Sequence, residues 1–462
     1  MAIDRSPVAA EIRATLAVAA PLAGANLAHM SMSVTNVLIV GHLGATPLAA
    51  AGLGAAIYWS LLMLCQGILT AVAPLAAHAI GAEDHPTAGR VAGAGLIIAA
   101  VLAVPVILIL TVIPGLLAGL GYEPELAAEL ARFLRVIRWG APAFLGVAVL
   151  RFLLVAAFRT RIVLVIPLAA IPLNAALNWA LVFGHWGLPA MGSAGSGAAT
   201  AIVQWLMLLS FAGLMATMPG QVPVRLAIRV LAEIPRILRL GLPISALIGL
   251  ETGLFVTTGV LMGLLGPDAL GAHQLVFNVA GLSFMVPLGI SQAATVRVAF
   301  QLGLGAPAAA RRAGFVAVAL GALFMATMAV LFWTAPRMLV SAYVDLSDPT
   351  NGGLVGIAVR LFLIAALFQV FDGVQVIAAG ALRGYRDTAV PMLIAAIGYW
   401  AIGFAGGWLL AFPLGYGAVG LWLGLAMGLG VVAMLLGVRL YFCARSQLRG
   451  GARAALASEA RA

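Results

Sequence analysis

The chain has 462 residues, of which 63% are hydrophobic and only 9% charged, with a formal charge of +10. Soluble globular proteins carry about 25% charged residues, so an ordinary soluble enzyme is excluded. Disorder is excluded too, because it needs low hydrophobicity and high charge. A spanning helix takes roughly 20 apolar residues, and twelve long helices with short loops fill a chain of this length. All 25 basic residues are Arg. They fall mostly between apolar runs, with no stripe interleaved with aromatics, so no nucleic-acid partner is expected. Cys65 and Cys443 are too few for a disulfide framework and have no metal spacing. The N-terminal segment lacks a cleavage-site pattern, so the first span is expected to act as an uncleaved anchor.

Apolar runs punctuated by Gly, Pro and charge predict spans at 13–40, 48–79, 91–121, 128–158, 162–186, 192–217, 235–265, 270–302, 312–342, 354–384, 388–414 and 416–445. The odd-to-even connections (GHLGATP, GYEPE, GHWGLP, GPD, VDLSDP, FPLGYG) contain no Arg. The even-to-odd ones carry Arg90, then Arg159 and Arg161, then Arg225, Arg229, Arg236 and Arg239, then Arg311 and Arg312, then Arg383 and Arg386. Arg445, Arg449 and Arg453 follow in the tail. This alternation follows the positive-inside rule. It predicts a multi-pass membrane protein with an even number of spans and both termini in the cytoplasm.

Residues 21–92 align onto 243–314 without a gap, at an offset of 222. Pro21 meets Pro243, Val34-Thr35 meets Val256-Thr257, Gly41, Leu43 and Gly44 meet Gly263, Leu265 and Gly266, and Gly67-Ile68 meets Gly289-Ile290. The chain therefore reads as a duplicated all-α membrane protein. Its predicted parts are a six-helix bundle over 1–218, a cytoplasmic amphipathic linker over 219–234, a second bundle over 235–447 and a tail over 448–462. Two bundles inserted the same way up are related by an axis along the membrane normal, an arrangement that secondary transporters use to alternate access.

Taken in chain order, span 1 carries a polar stripe of Asn26, His29, Ser33 and Asn36 at helical spacing. Asn174 and Asn178 on span 5, and Thr200 and Gln204 on span 6, are i, i+4 pairs. Glu251 in span 7 lies 12 residues past Arg239, about 18 Å along a helix. Asp372 in span 10 lies 11 residues before Arg383, about 17 Å. Against a hydrocarbon core of roughly 30 Å, both are near mid-depth, while the other thirteen of the 15 acids sit at termini, loops or span ends. A carboxylate at mid-depth costs several kcal/mol unless paired, hydrated or protonated, and no Arg is predicted at that depth in the same half. Such a pair is suited to holding H+, Na+ or an organic cation in turn, with structural packing as the alternative. Gln369 and Gln375 flank Asp372 at three residues either side, Thr258 follows Glu251 by seven, and Gln274 and Asn278 are an i, i+4 pair on span 8. Each amide reads equally as interhelical glue. At the repeat offset His29 is the counterpart of Glu251 and is either a titrating group or a structural one. Trp186, Trp333, Tyr343 and Trp408 fit interfacial belts, and Phe255, Phe284, Phe368 and Trp400 lie closer to mid-span. No nucleotide loop, catalytic triad or metalloprotease motif is visible, and neither enzymatic activity nor a cofactor is expected.

Four strings in order carry a family resemblance: LNAALNWALVFGHWGLPAMGSAGSGAATA at 173–201, GLPIS at 241–245 leading to Glu251, AHQLVFN at 272–278, and GALRGYRDTAVP at 380–391. With the twelve-span duplication, they make the chain similar to the multidrug and toxic compound extrusion (MATE) transporters, particularly their NorM-like branch, over nearly its whole length. The resemblance implies two six-helix bundles in a V and export of amphipathic, mostly cationic compounds across a bacterial inner membrane in exchange for H+ or Na+. It implies cation coupling at Glu251 and Asp372, which would be the ligands of Na+ if sodium is the coupling ion. It also implies an N-terminal polar site at Asn174, Asn178 and Thr200; beside these, the spacing offers Asn36, His29, Gln274, Asn278 and Gln375 as supporting polar residues of the cavity. One departure matters: the family usually has an Asp where VTNVLIVG places Asn36, so the N-terminal site lacks a carboxylate and coupling is expected on the C-terminal half. Phe368 likewise stands where some relatives have Tyr. The partners implied are small amphipathic cations, H+ or Na+ and membrane lipid, acting on a monomer. The nearest rival, a lipid-linked oligosaccharide flippase of the same superfamily, moves an anion and calls for Arg rather than acid at mid-depth.

Overall fold

In lipid every backbone N–H and C=O must be satisfied within the protein, which leaves a long apolar segment the α-helix as its only open-chain solution. The computed structural model describes residues 7–119, 123–217, 224 and 228–459. Among them are twelve helical spans long and apolar enough to cross a membrane. In chain order these are α1 (Pro7–Gly41), α2 (Ala45–Gly81), α3 (His85–Leu117), α4 (Pro124–Ala156), α5 (Thr160–Phe183) and α6 (Ser193–Thr217). The second set is α7 (Arg229–Leu264), α8 (Pro267–Gly303), α9 (Pro307–Thr334), α10 (Pro349–Gly384), α11 (Ala389–Ala411) and α12 (Gly417–Arg449). The expected count is matched, and no strand occurs among the described residues. Of the expected linker, 219–223 and 225–227 lie outside the described residues, and Ile228–Glu233 forms the 3-10 turn with which α7 begins before it becomes α-helical at Ile234.

The duplication is visible in local geometry. The turns between α1 and α2 and between α7 and α8 both hinge on a glycine in the left-handed region, Gly44 at φ 107° and Gly266 at φ 111°, the paired positions of the repeat. A side chain is strained at such φ values.

The chain separates into two compact units whose boundaries fall inside helices. One contains α1 as far as Ala23 together with everything from Ala246 onward, and the other is Gly24–Ser245. The first unit gains the start of α1 through two contacts. Arg297 on α8 donates from Nε and Nη2 to the two oxygens of Glu11, at 2.8 and 2.6 Å, a bidentate pair of the strong kind. Gly289 of α8 also lies so close to α1 that a Cβ there would stand 2.7 Å from the Ala23 nitrogen. In the second unit the start of α7 packs on α2 in the equivalent way. A Cβ at Gly241 would stand 2.2 Å from the Ile68 carbonyl oxygen, and Ser245 Oγ donates to the Leu64 carbonyl at 2.8 Å. Gly241 and Ser245 are the repeat counterparts of Ala19 and Ala23, so one packing solution is used twice. The bundle boundaries expected at 218 and 235 follow loops, whereas these compact units follow helix-to-helix packing.

Two variants probe this packing. Glu11→Gln removes one partner of a largely buried ion pair and is expected to cost about 3–5 kcal/mol, read as a lowered melting temperature of the purified protein in detergent. Gly241→Val forces a side chain onto backbone and is expected to cost roughly 1–3 kcal/mol in the same measurement.

Candidate functional site

The acids singled out in the sequence lie in the unit that begins at Ala246, and its helices bring them together. Asp372 on α10 is 7% exposed, and Gln375, one turn further along, is 1% exposed. The Gln375 Nε2 donates to Glu251 Oε1 at 3.1 Å and to Asp372 Oδ1 at 3.3 Å. One amide nitrogen thus ties α7 to α10 and holds both carboxylates around itself. The Gln375 side chain is fixed from its other end, because Tyr399 OH donates to Gln375 Oε1 at 2.8 Å. No hydrogen bond to Glu251 Oε2 or Asp372 Oδ2 occurs among the described residues.

Tyr399 and the neighbouring Trp400 lie within a π-helical stretch, Ile397–Phe404, in the middle of α11. The wider turn lets two consecutive residues serve the same site: Trp400 Nε1 donates to the Leu250 carbonyl at 3.2 Å, directly before Glu251. π-bulges of this sort are frequent at functional sites. The local sequence permits it, since α11 and α12 approach through glycines: a Cβ on Gly424 would lie 2.2 Å from the Gly407 Cα, and one on Gly428 would lie 2.7 Å from the Gly403 Cα. Small residues let backbones meet in this way.

No ion pair within 4 Å joins an Arg to either acid among the described residues, but one Arg charge acts at longer range. The Arg383 guanidinium, eleven residues along α10 from Asp372, interacts electrostatically with Glu251. The long apolar stem of Arg carries its charge well away from its own Cα, which counting residues along the helix axis misses. A second polar layer lies beside the pair, where Gln369 Oε1 accepts from Ser283 Oγ at 3.0 Å. Gln369 Nε2 is buried without a hydrogen-bond partner among the described residues. Phe368 packs edge-on against Phe255 and Trp422, with centroids at 6.1 and 5.3 Å, and so forms an apolar wall at this end.

The remaining candidates separate. Asn278 Nδ2 donates to the Gln274 carbonyl of its own helix at 2.8 Å, and both residues are exposed on α8 outside the acid network. Thr258 donates to the Leu254 carbonyl of its own helix. In the other unit, Asn36, Asn174, Asn178 and Thr200 do converge. Asn36 Oδ1 accepts from Asn174 Nδ2 at 2.8 Å and from Asn178 Nδ2 at 3.0 Å, and Asn36 Nδ2 donates to Thr200 Oγ1 at 3.1 Å. This cluster from α1, α5 and α6 contains four polar side chains and no charge. His29 is not part of it. The charged group acting on His29 is Arg151 of α4, a buried cation absent from the sequence-based candidates.

Tyr399→Phe deletes one hydrogen bond and is expected to cost about 1 kcal/mol, whereas Gln375→Leu leaves the Tyr399 hydroxyl and both acids unbridged and is expected to cost about 2–3 kcal/mol. Thermal unfolding of the two variants in detergent checks the order.

The geometry can be set beside known proteins. The MatE family model matches residues 21–180 and 243–409. A probable multidrug resistance protein NorM of Mesorhizobium japonicum is 41% identical over 436 residues, covering 92% of each chain. The multidrug resistance protein NorM of Burkholderia vietnamiensis is 40% identical over 432 residues, covering 92% of this chain and 93% of its own. Among solved structures, the crystal structure of the eukaryotic MATE transporter AtDTX14 superposes with a TM-score of 0.86 at 20% identity, over 96% of this chain and all of that one.

Proposed function

The chain belongs to the MatE family, and from that premise we propose that it is a cation-coupled antiporter exporting amphipathic, mostly cationic compounds. The family makes it a multi-pass membrane transporter of small molecules and not an enzyme. In the proposed reading it lies in the bacterial inner membrane with both termini cytoplasmic, works as a monomer, and uses H+ or Na+ as the exchanged ion.

The observation that carries the coupling is the Gln375 bridge between Glu251 and Asp372. Two carboxylates in an apolar bundle attract any monovalent cation, and Arg383 offsets part of their charge. The site then holds either a coupling cation or the cationic group of a drug. Occupation by one disfavours the other, because both draw on the same negative charge. External H+ or Na+ arriving at the pair releases the drug outward, and the inward-open state discharges the ion to the cytoplasm. Linkage requires the antagonism to be reciprocal: each cation weakens the other by the same factor.

In proteoliposomes, Glu251→Gln and Asp372→Asn are each expected to lower gradient-driven efflux of an ethidium-like cation at least about tenfold, on the scale of 1.4 kcal/mol or more of lost coupling. Imposing pH and Na+ gradients separately identifies the ion. A fully active Glu251→Gln, Asp372→Asn double variant sinks the mechanism. Asn36→Asp tests the neutral cluster. An Asp keeps the acceptor that Asn174 and Asn178 both use and alters only the contact to Thr200. This variant is expected to fold and to raise the number of cations exchanged per drug, measured from the flux ratio.

A further inference from the structure

A second charged site lies in the Gly24–Ser245 unit, where the 3-10 turn Ile228–Glu233 meets the start of α3. Arg90, Arg229, Ala232, Glu233 and Arg236 line a pocket of about 450 Å³. Three guanidiniums and one carboxylate line it, and with the nearby Asp84 counted against Arg90 one positive charge is left over. Glu233 is 5% exposed and organises the others: Oε1 lies 3.7 Å from Arg90 Nε, and Oε2 lies 3.1 Å from Arg236 Nη1. Arg90 is held at its far side as well, because Nη2 donates to Thr87 Oγ1 at 2.5 Å and the Thr87 hydroxyl donates to Asp84. The Thr87 side-chain and backbone hydrogen bonds keep the exposed Asp84 carboxylate below its usual range, so this chain of contacts persists at neutral pH. Arg229, by contrast, is exposed and has no ion-pair partner among the described residues.

Two of the three cations are therefore fixed in place by a buried acid, and the third is left to close on a ligand. Guanidiniums suit a tetrahedral oxyanion, since their forked donors match its oxygens. We infer that this pocket is a binding site for a phosphate group, carried either by an acidic lipid headgroup or by a free anion. The turn also presents Leu231, 52% exposed, directly between Val230 and the pocket-lining Ala232. That apolar ledge beside a basic pocket is the arrangement expected for a headgroup with acyl chains. The turn runs straight into α7, the helix that passes from this unit to the other at Ser245 and carries Glu251.

The test uses the full chain in neutral detergent, titrated with short-chain phosphatidylglycerol, short-chain phosphatidylcholine or inorganic phosphate. Binding is read by native mass spectrometry and by the rise in melting temperature. Phosphatidylglycerol is expected to bind saturably and more tightly than phosphatidylcholine. Arg229→Gln, which breaks no contact within the protein, is expected to weaken it about fivefold, while Arg159→Gln, outside the pocket, binds as the wild type does. Arg229-dependent binding of inorganic phosphate as well identifies a free anion as ligand, and binding of phosphatidylglycerol alone identifies the lipid. Either anion binding with no dependence on Arg229, an equal loss in Arg159→Gln, or no binding of either anion overturns the inference.

Discussion

Because the Gln375 amide nitrogen donates to Glu251 and Asp372 at once, two acids that the sequence separates by more than a hundred residues are held around one atom inside an apolar bundle. Two like unit charges 4 Å apart repel by about 4 kcal/mol at an effective dielectric of 20. The pair therefore demands a positive species, and the surroundings limit what can supply it. Arg383 contributes a permanent charge from the same helix as Asp372. Tyr399 holds the bridging amide in one orientation, and the π-helical turn of α11 exists in the same place because its glycines let α12 approach. In the proposed reading, the positive charge still to be supplied is the mobile one, the coupling cation or the drug.

The duplication makes the contrast between halves informative. The same packing joins α1 to α8 and α7 to α2, with Gly289 and Gly241 at the close approaches. The chemistry is not duplicated. Asn36 sits at the heart of an amide cluster in which one carbonyl oxygen serves two donors, while its repeat counterpart Thr258 merely bonds back to its own helix. His29, the counterpart of Glu251, lies within electrostatic reach of the buried Arg151 and belongs to neither polar cluster. The two halves share a scaffold, and of the two polar clusters described, the one around Gln375 contains carboxylates while the one around Asn36 does not.

Much of this was legible in the residues. Twelve spans, their alternating Arg loops and the 222-residue repeat are properties of composition and spacing, which lipid as solvent makes nearly deterministic. Glu251 and Asp372 stood out because an acid far from any span end is rare, and Gln375 because it shares a helix face with Asp372. Other features were not legible. Arg383 reads as a loop cation, and its electrostatic influence on Glu251 is not visible in the spacing. Tyr399 needs a π-turn that no local pattern announces. Gln274 and Asn278 lie on the exposed face of α8, since helical spacing fixes which residues share a face but not which neighbour the face meets. The compact units break inside α1 and α7 because close packing at Gly289 and Gly241, rather than loop composition, decides which bundle a helix start joins.

The central claim is that drug and coupling cation compete for one pair of carboxylates. Equilibrium binding of a fluorescent organic cation to the purified protein, titrated across Na+ concentration at fixed pH and across pH without Na+, tests it directly. The account predicts that the apparent Kd rises in proportion to the coupling cation while the binding capacity stays constant, and that Glu251→Gln, Asp372→Asn abolishes this dependence. A Kd independent of both Na+ and pH in the wild-type protein, or competition that survives in the double variant, would contradict it.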